Sequence, residues 1–335
     1  MLRIAQIAPL AEAVPPKLYG GTERVIWWLT EALVDLGHDV TLFASGDSET
    51  SARLVPGAPS GLRLAGVRDH AAYTLAMLDR VLKAADSFDI LHFHTDLFQF
   101  PLFRHLAHKS VTTLHGRHDL PDFWPIFRAF PEMPLVSISD AQRAPMPDAN
   151  FVATIHHGLP ERLIPYSPED GGYLAFVGRI SPEKRPDRAI DLDYFQDEIE
   201  PLLDHPLIEF IGEIGDSDKP AFFGDALALL FPIDWPEPFG LVMIEAMAAG
   251  TPVIAWPGGS VPEVIRDGRG GFIVNSLDEA VAAIAKARAL PRAEVRRCFE
   301  VAFTAERMAH DYAKLYYELT ASARPALPFD LALSA

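Results

Sequence analysis

The sequence predicts an α/β protein of two doubly wound domains, each a parallel sheet covered by helices on both faces. Three observations carry the prediction. Short apolar runs of strand type alternate with longer helical patterns along the chain. The alternation starts twice, on either side of the Pro/Gly-rich stretch GLPERLIPYSPEDGG, Gly158 to Gly172, which is read as the hinge. The 335 residues, 49% hydrophobic, also exceed what a single core usually gathers.

In the first half, RIAQIAP reads as a strand, Thr22 to Leu36 as an amphipathic helix stopped by Gly37, and DVTLFAS as the next strand. ILHFH, VTTLH and LVSIS follow as further strands. After the hinge, YLAFVG, IEFIG, LALLFP, PVIAW and GFIV repeat the pattern. ERMAHDYAKLYYELT reads as a closing amphipathic helix. A cleft at the carboxyl ends of the strands is expected, because open α/β sheets bind ligands there.

Composition narrows the function classes. The formal net charge of -17 argues against a general nucleic-acid binder. The single cysteine, Cys298, excludes an intrachain disulfide framework and fits a reducing compartment. No apolar run reaches the length of a membrane span, and MLRIAQIAPL is too short and strand-like for a signal peptide, so the expected location is cytoplasmic.

A doubly wound fold raises dinucleotide binding at once, but the first strand runs into APLAEAVPPKLYGGTERV without Gly-x-Gly-x-x-Gly. The Gly20–Gly21 pair before a helix suits an anion, since exposed amides and the helix dipole favour phosphate; a loop needing glycine's backbone freedom explains it equally well.

The stretch WPEPFGLVMIEAMAAGTPVIAWPGG, Trp235 to Gly259, says most. Pro236 and Pro238 hold Glu237 extended, and a helix can begin only near Phe239 or Gly240. Glu245 then falls among Leu241, Met243, Ile244, Ala246 and Met247, where a carboxylate is costly unless paired or hydrogen-bonded. Vicinal hydroxyls of a ribose or a distant basic residue would each satisfy it.

EPFGLVMIEAMAAGTPVIA, with two glutamates separated by seven residues, resembles the signature of retaining glycosyltransferases of family four. FVGRISPEKRP, YGGTERV, TLHG and GGSVPEVIRDGRGGFIV resemble other family segments, in family order. The resemblance implies a GT-B fold, two Rossmann-like domains facing a cleft: residues 1–160 on the acceptor side, 161–310 for the nucleotide-sugar, and 311–335 as a helix and tail crossing back. It implies that Arg179 and Lys184 take the diphosphate, Arg179 as a forked donor and Lys184 as a point charge. Negative charge grows on the leaving phosphate in the transition state, and these cations with helix-terminal amides would stabilise it without a metal. Glu245 would accept the ribose hydroxyls, and Glu237 would lie near the donor sugar. The amides of Phe239, Gly240 and Leu241 would reach sugar or phosphate, Ile214 would contact the base through its backbone, His115 would approach the reacting centre, and Gly21 would pack near the diphosphate.

The implied reaction is front-face transfer of a hexose from a UDP-sugar, needing no cofactor, to a saccharide or lipid-linked acceptor. Peripheral membrane contact is the lesser expectation, and no nucleic-acid partner is expected. A non-catalytic nucleotide-sugar-binding protein and a GT-B-type sugar-nucleotide epimerase are the alternatives. His92 and His94 are expected on opposite strand faces and so not to form a metal pair; His156 and His157 are given only a linker role. Between YLAFVG and IEFIG the family carries helix, strand and helix, whereas this chain has the 28 residues Arg179–Pro206. The shortfall is read as residues missing near Asp191 to Asp193 in preference to a true deletion of the middle strand, and that Asp-x-Asp is not read as a metal motif.

Overall fold

The computed structural model describes residues 1–178, 200–212 and 214–322. The chain divides into two compact units, Met1–Gly158 with the segment from Ala305 onward, and Leu159–Thr304.

Among the described residues the first unit is built on seven parallel strands: β1 (Arg3–Ile7), β2 (Asp39–Ser45), β3 (Arg53–Ala58), β4 (Ile90–Phe93), β5 (Ser110–Thr113), β6 (Leu135–Ser137) and β7 (Phe151–Thr154), in the order β3-β2-β1-β4-β5-β6-β7. Alternation sends side chains to two cores. On β2, Leu42 and Ala44 pack with Ile26 of the helix Gly21–Asp35, while Phe43 packs with Leu78 of the helix Ala71–Ala84. Gly37, at φ +80, follows the first helix and turns the chain into β2. Two strands carried little sequence signal. RLVPGA contains Pro56, tolerated because β3 is an edge strand, and FVAT on the opposite edge is at most half-buried. The helix Ala305–Ser322 belongs to this unit and packs against Gly21–Asp35, burying Tyr312 and Tyr316.

Among the described residues the second unit carries four parallel strands, β8 (Tyr173–Ala175), β9 (Ala226–Phe231), β10 (Val253–Ala255) and β11 (Gly271–Ile273), in the order β11-β10-β9-β8. IEFIG, expected as a strand, forms none, which corrects the sequence reading. Its apolar side chains are open, Phe210 at 55% and Ile211 at 51% exposure, because no described strand offers a ladder beside it. Asp191 and Asp193, and with them the expected join, lie outside the described residues. Arg292 ties the unit together: its guanidinium donates to the carbonyls of Ser167, Gly224 and Ala226 and to the Thr251 hydroxyl. Among the described residues no helix is long and apolar enough to cross a membrane.

Candidate functional site

In the first unit, Gly21 opens its helix, and Gly20 before it is glycine for want of space: a Cβ there would lie 2.7 Å from the Pro16 Cβ. The first-turn amides of such a helix have no carbonyl of their own to bond. Close behind them sits the buried carboxylate of Glu23, pushed up to about 7 by burial, with Glu12 adding to the rise and Arg63 opposing it. Arg63 is itself paired with Glu12. An acid half-protonated at neutral pH, rather than a fixed anion, therefore stands next to the glycine pair.

His115 follows β5. Its Nε2 lies 2.8 Å from His94 Nδ1, its ring stacks on His157 with centroids 5.3 Å apart, and its Nδ1 is buried without a partner among the described residues. Burial pushes His115 down to about 3, so at neutral pH the ring is an uncharged acceptor and contributes no positive charge. His157, expected to serve only as linker, is thus part of this cluster. The expectation for His92 and His94 is corrected as well. Residues two apart along a strand share a face, and the two rings lie 4.1 Å apart on the same side.

In the second unit, the helix Leu241–Ala249 begins at Gly240, whose φ of +76 favours glycine; a Cβ there would also crowd the Met243 methyl at 2.7 Å. Gly250, at φ +86, ends it. Glu237 is half-buried in the preceding loop, and its backbone is gripped from below. Ser260 N–H donates to the Glu237 carbonyl at 2.9 Å. A Cβ on Gly259, which has φ +55, would sit 2.2 Å from that carbonyl oxygen. The Ser260 hydroxyl donates to the carbonyl of the buried Phe239. Leu241, half-buried, is the first helical residue, and its amide faces away from any intrahelical acceptor.

Glu245 is 3% exposed, and its Oε1 accepts from Lys219 Nζ at 2.7 Å. Of the two partners the sequence left open, the structure supplies the cation. Lys219 comes from the helix Lys219–Gly224, and its only cue in sequence is its place in GDSDKP. Oε2 of Glu245 accepts no hydrogen bond from the described residues. Ile214 lies half-buried in the loop leading to Lys219. Arg179 and Lys184 lie outside the described residues. Gly258 and Gly259 under the Glu237 loop, Lys219 on Glu245, and His157 on His115 are the residues that sequence reasoning missed as site-builders.

Two open parallel sheets, with the loops and helix starts just described at their ends, define a Rossmann-like α/β protein of the GT-B class. AviGT4, a glycosyltransferase involved in avilamycin A biosynthesis, superimposes with a TM-score of 0.73 at 22% identity, covering 96% of this chain and 99% of that one. Anabaena Alr3699/HepE, solved in complex with UDP and glucose, superimposes at 0.68 with 16% identity over 95% of this chain and 100% of that one. Two family models match in sequence, Glycosyltransferase Family 4 over residues 19–141 and Glycosyl transferases group 1 over residues 191–297. The chain belongs to the group 1 glycosyltransferases of family four. The D-inositol 3-phosphate glycosyltransferase of Salinispora arenicola is 33% identical over 178 residues, 44% of this chain and 38% of that protein. The chain therefore matches well under half the length of this curated relative.

Proposed function

We propose that the protein transfers a hexose from a nucleoside-diphosphate sugar, UDP-linked, to a saccharide or lipid-linked acceptor with retention at the anomeric carbon. The observation that carries this reading is the loop Trp235–Gly240. Gly258 and Gly259 leave no space beneath it, and Gly240 turns it into the helix, so that Glu237 stands at the head of the helix that carries Glu245. A helix start gives amides to a phosphate or sugar oxygen, and a carboxylate beside it accepts hydroxyls. Membership of the family and the UDP bound by HepE support the choice of donor.

On this reading Glu245 receives the ribose hydroxyls at Oε2, with Lys219 holding Oε1. Lys219 then assists the nucleotide site and does not compete for it. Glu237 orients the donor sugar, and the departing phosphate takes the acceptor's proton while Arg179 and Lys184 meet its charge. No metal or other cofactor is assigned a part. The backbone of Ile214 meets the base, the amides of Phe239, Gly240 and Leu241 reach the donor, and Gly21 packs near its diphosphate. Turnover of UDP- and GDP-hexoses, followed as nucleotide release and as labelled glycoside, tests the proposal. Release with glycoside formation, lost on Glu237→Ala while the fold is kept, is the expected result. Binding without turnover would leave a carrier, and an epimerised donor without glycoside would make the protein an epimerase.

A further inference from the structure

The first unit holds a chain of hydrogen bonds that the transfer reaction does not by itself require. It starts at His115 and crosses three strands to the helix Ala305–Ser322. His115 Nε2 lies 2.8 Å from His94 Nδ1, and His94 Nε2 lies 2.8 Å from Gln6 Oε1. The Gln6 amide donates from Nε2 to the Tyr316 hydroxyl at 3.3 Å. Tyr316 is 2.6 Å from His92 Nδ1, and His92 Nε2 is 2.7 Å from the Thr113 hydroxyl, which shares its last bond with Tyr312. Gln6 and His92 sit opposite each other in the β1–β4 register. Gln6, His92 and Thr113 are wholly buried.

Proton counting gives the chain a direction. The Gln6 carbonyl oxygen can only accept, so His94 carries its proton on Nε2 and its Nδ1 is bare. A bare Nδ1 can only accept, so the proton of His115 is on Nε2. Tyr316 already receives the Gln6 amide, so its own hydroxyl proton goes to His92 Nδ1, and His92 donates from Nε2 to Thr113. Each internal link then has one donor and one acceptor. The end left over is His115 Nδ1, a bare lone pair, buried and without a partner among the described residues. Stacking on His157, at an interplanar angle of 20°, restrains the plane of the ring. Native proteins seldom leave a buried acceptor unmatched unless something else fills it.

We propose that Gln6, acting through His94, is a positioning residue that holds His115 with its proton on Nε2 and presents Nδ1 as an acceptor for a sugar hydroxyl. This rests on the transfer reading above for the identity of the ligand, while the tautomer itself stands on the protein alone. Gln6 shows in the sequence only as the one polar residue after Arg3 in the strand RIAQI. Tyr316 anchors the amide of Gln6 from the closing helix, so that helix helps to orient His115 from a position that touches no ligand.

The test is nitrogen NMR on the full chain with labelled histidine, run with turnover of UDP-glucose. Wild-type His115 should show a protonated Nε2 and an unprotonated Nδ1 at neutral pH. Gln6→Leu removes the acceptor of His94 and should leave His115 a mixture of tautomers, with kcat down by about tenfold or more and the donor KM changed less. Gln6→Glu keeps an acceptor towards His94 and should restore the single tautomer and most of kcat. A wild-type His115 protonated on Nδ1 would overturn the proposal without any variant, and so would a Gln6→Leu protein that keeps the wild-type tautomer. A disturbed tautomer with unchanged turnover would keep the relay and remove its ligand from the transfer reading.

Discussion

Lys219 Nζ stands 2.7 Å from Glu245 Oε1, and the carboxylate it meets is sealed in the helix Leu241–Ala249. A single-partner change leaves a charge buried without compensation, whereas replacing both removes the cost of desolvation as well. Lys219→Met should therefore lower the unfolding free energy by about 2–4 kcal/mol. Lys219→Met combined with Glu245→Leu should recover most of that loss. Urea denaturation midpoints of the two variants decide it; equal losses in both would mean that the ion pair is not what holds the segment.

Gly259 tests the loop under Glu237. Its φ of +55 and the 2.2 Å approach of a Cβ to the Glu237 carbonyl make Gly259→Ala strained and sterically blocked together. The expected cost is about 2–4 kcal/mol, by analogy with other changes that force backbone movement. At Gly268, where φ is also positive but the space is open, alanine should cost only about 1 kcal/mol. Thermal melting of both variants checks the ranking, and transfer activity should fall at Gly259 alone.

Glu23 gives a pH prediction of one sign. Its folded-state pKa is raised from 4.5 to about 7, so between those values the folded chain holds a proton that the unfolded chain has lost. Stability from this group is present below 4.5 and is lost as pH rises towards 7 and beyond. Glu23→Gln should therefore be more stable than the wild type at pH 8, by about 2–3 kcal/mol, and indistinguishable at pH 4. A gain that does not vary with pH would show that the carboxylate is not desolvated as the structure has it.

The buried histidines give the opposite sign. Burial pushes His115 down to about 3 and His118 to about 4, and lowers His92, His94 and His157 well below 6.5, with neighbouring imidazoles and Arg307 adding to the fall. Between those values and 6.5 the unfolded chain binds more protons, so stability is complete above 6.5 and falls as pH drops. Each histidine contributes a slope of about 1.4 kcal/mol per pH unit at most. The melting temperature should decline steeply from pH 6.5 to 5, and His118→Phe should make that decline shallower. A flat profile would contradict the neutral, buried cluster.

Much of this fold could be read from β1, β2, β4, β9 and β10, whose apolar runs lie between helical patterns and need no long-range information. What failed depends on neighbours. RLVPGA contains a proline and a glycine and becomes a strand only because β3 is an edge. IEFIG has the residues of a strand, but it is not paired in either described sheet, and propensity alone does not make a strand. At the site, the helix start near Gly240 was legible from Pro236 and Pro238, and Glu245 because a carboxylate among apolar residues breaks a local rule. Lys219 breaks none, and its partner and that of Gln6 lie 26 and 88 positions away, beyond any local pattern. Gly259 was visible as a letter, but that it packs against Glu237 could be known only from the folded chain.

The central claim is that Glu245, with one oxygen on Lys219, receives a ribose at the other. Equilibrium binding of UDP against its 2′,3′-dideoxy analogue, by calorimetry on wild type and Glu245→Gln, tests this most directly. The wild type should prefer UDP by about tenfold or more, as for hydrogen bonds to a charged acceptor, and Glu245→Gln should lose most of the preference. Equal affinity of the wild type for both nucleotides would contradict it and leave Glu245 a structural partner of Lys219 alone.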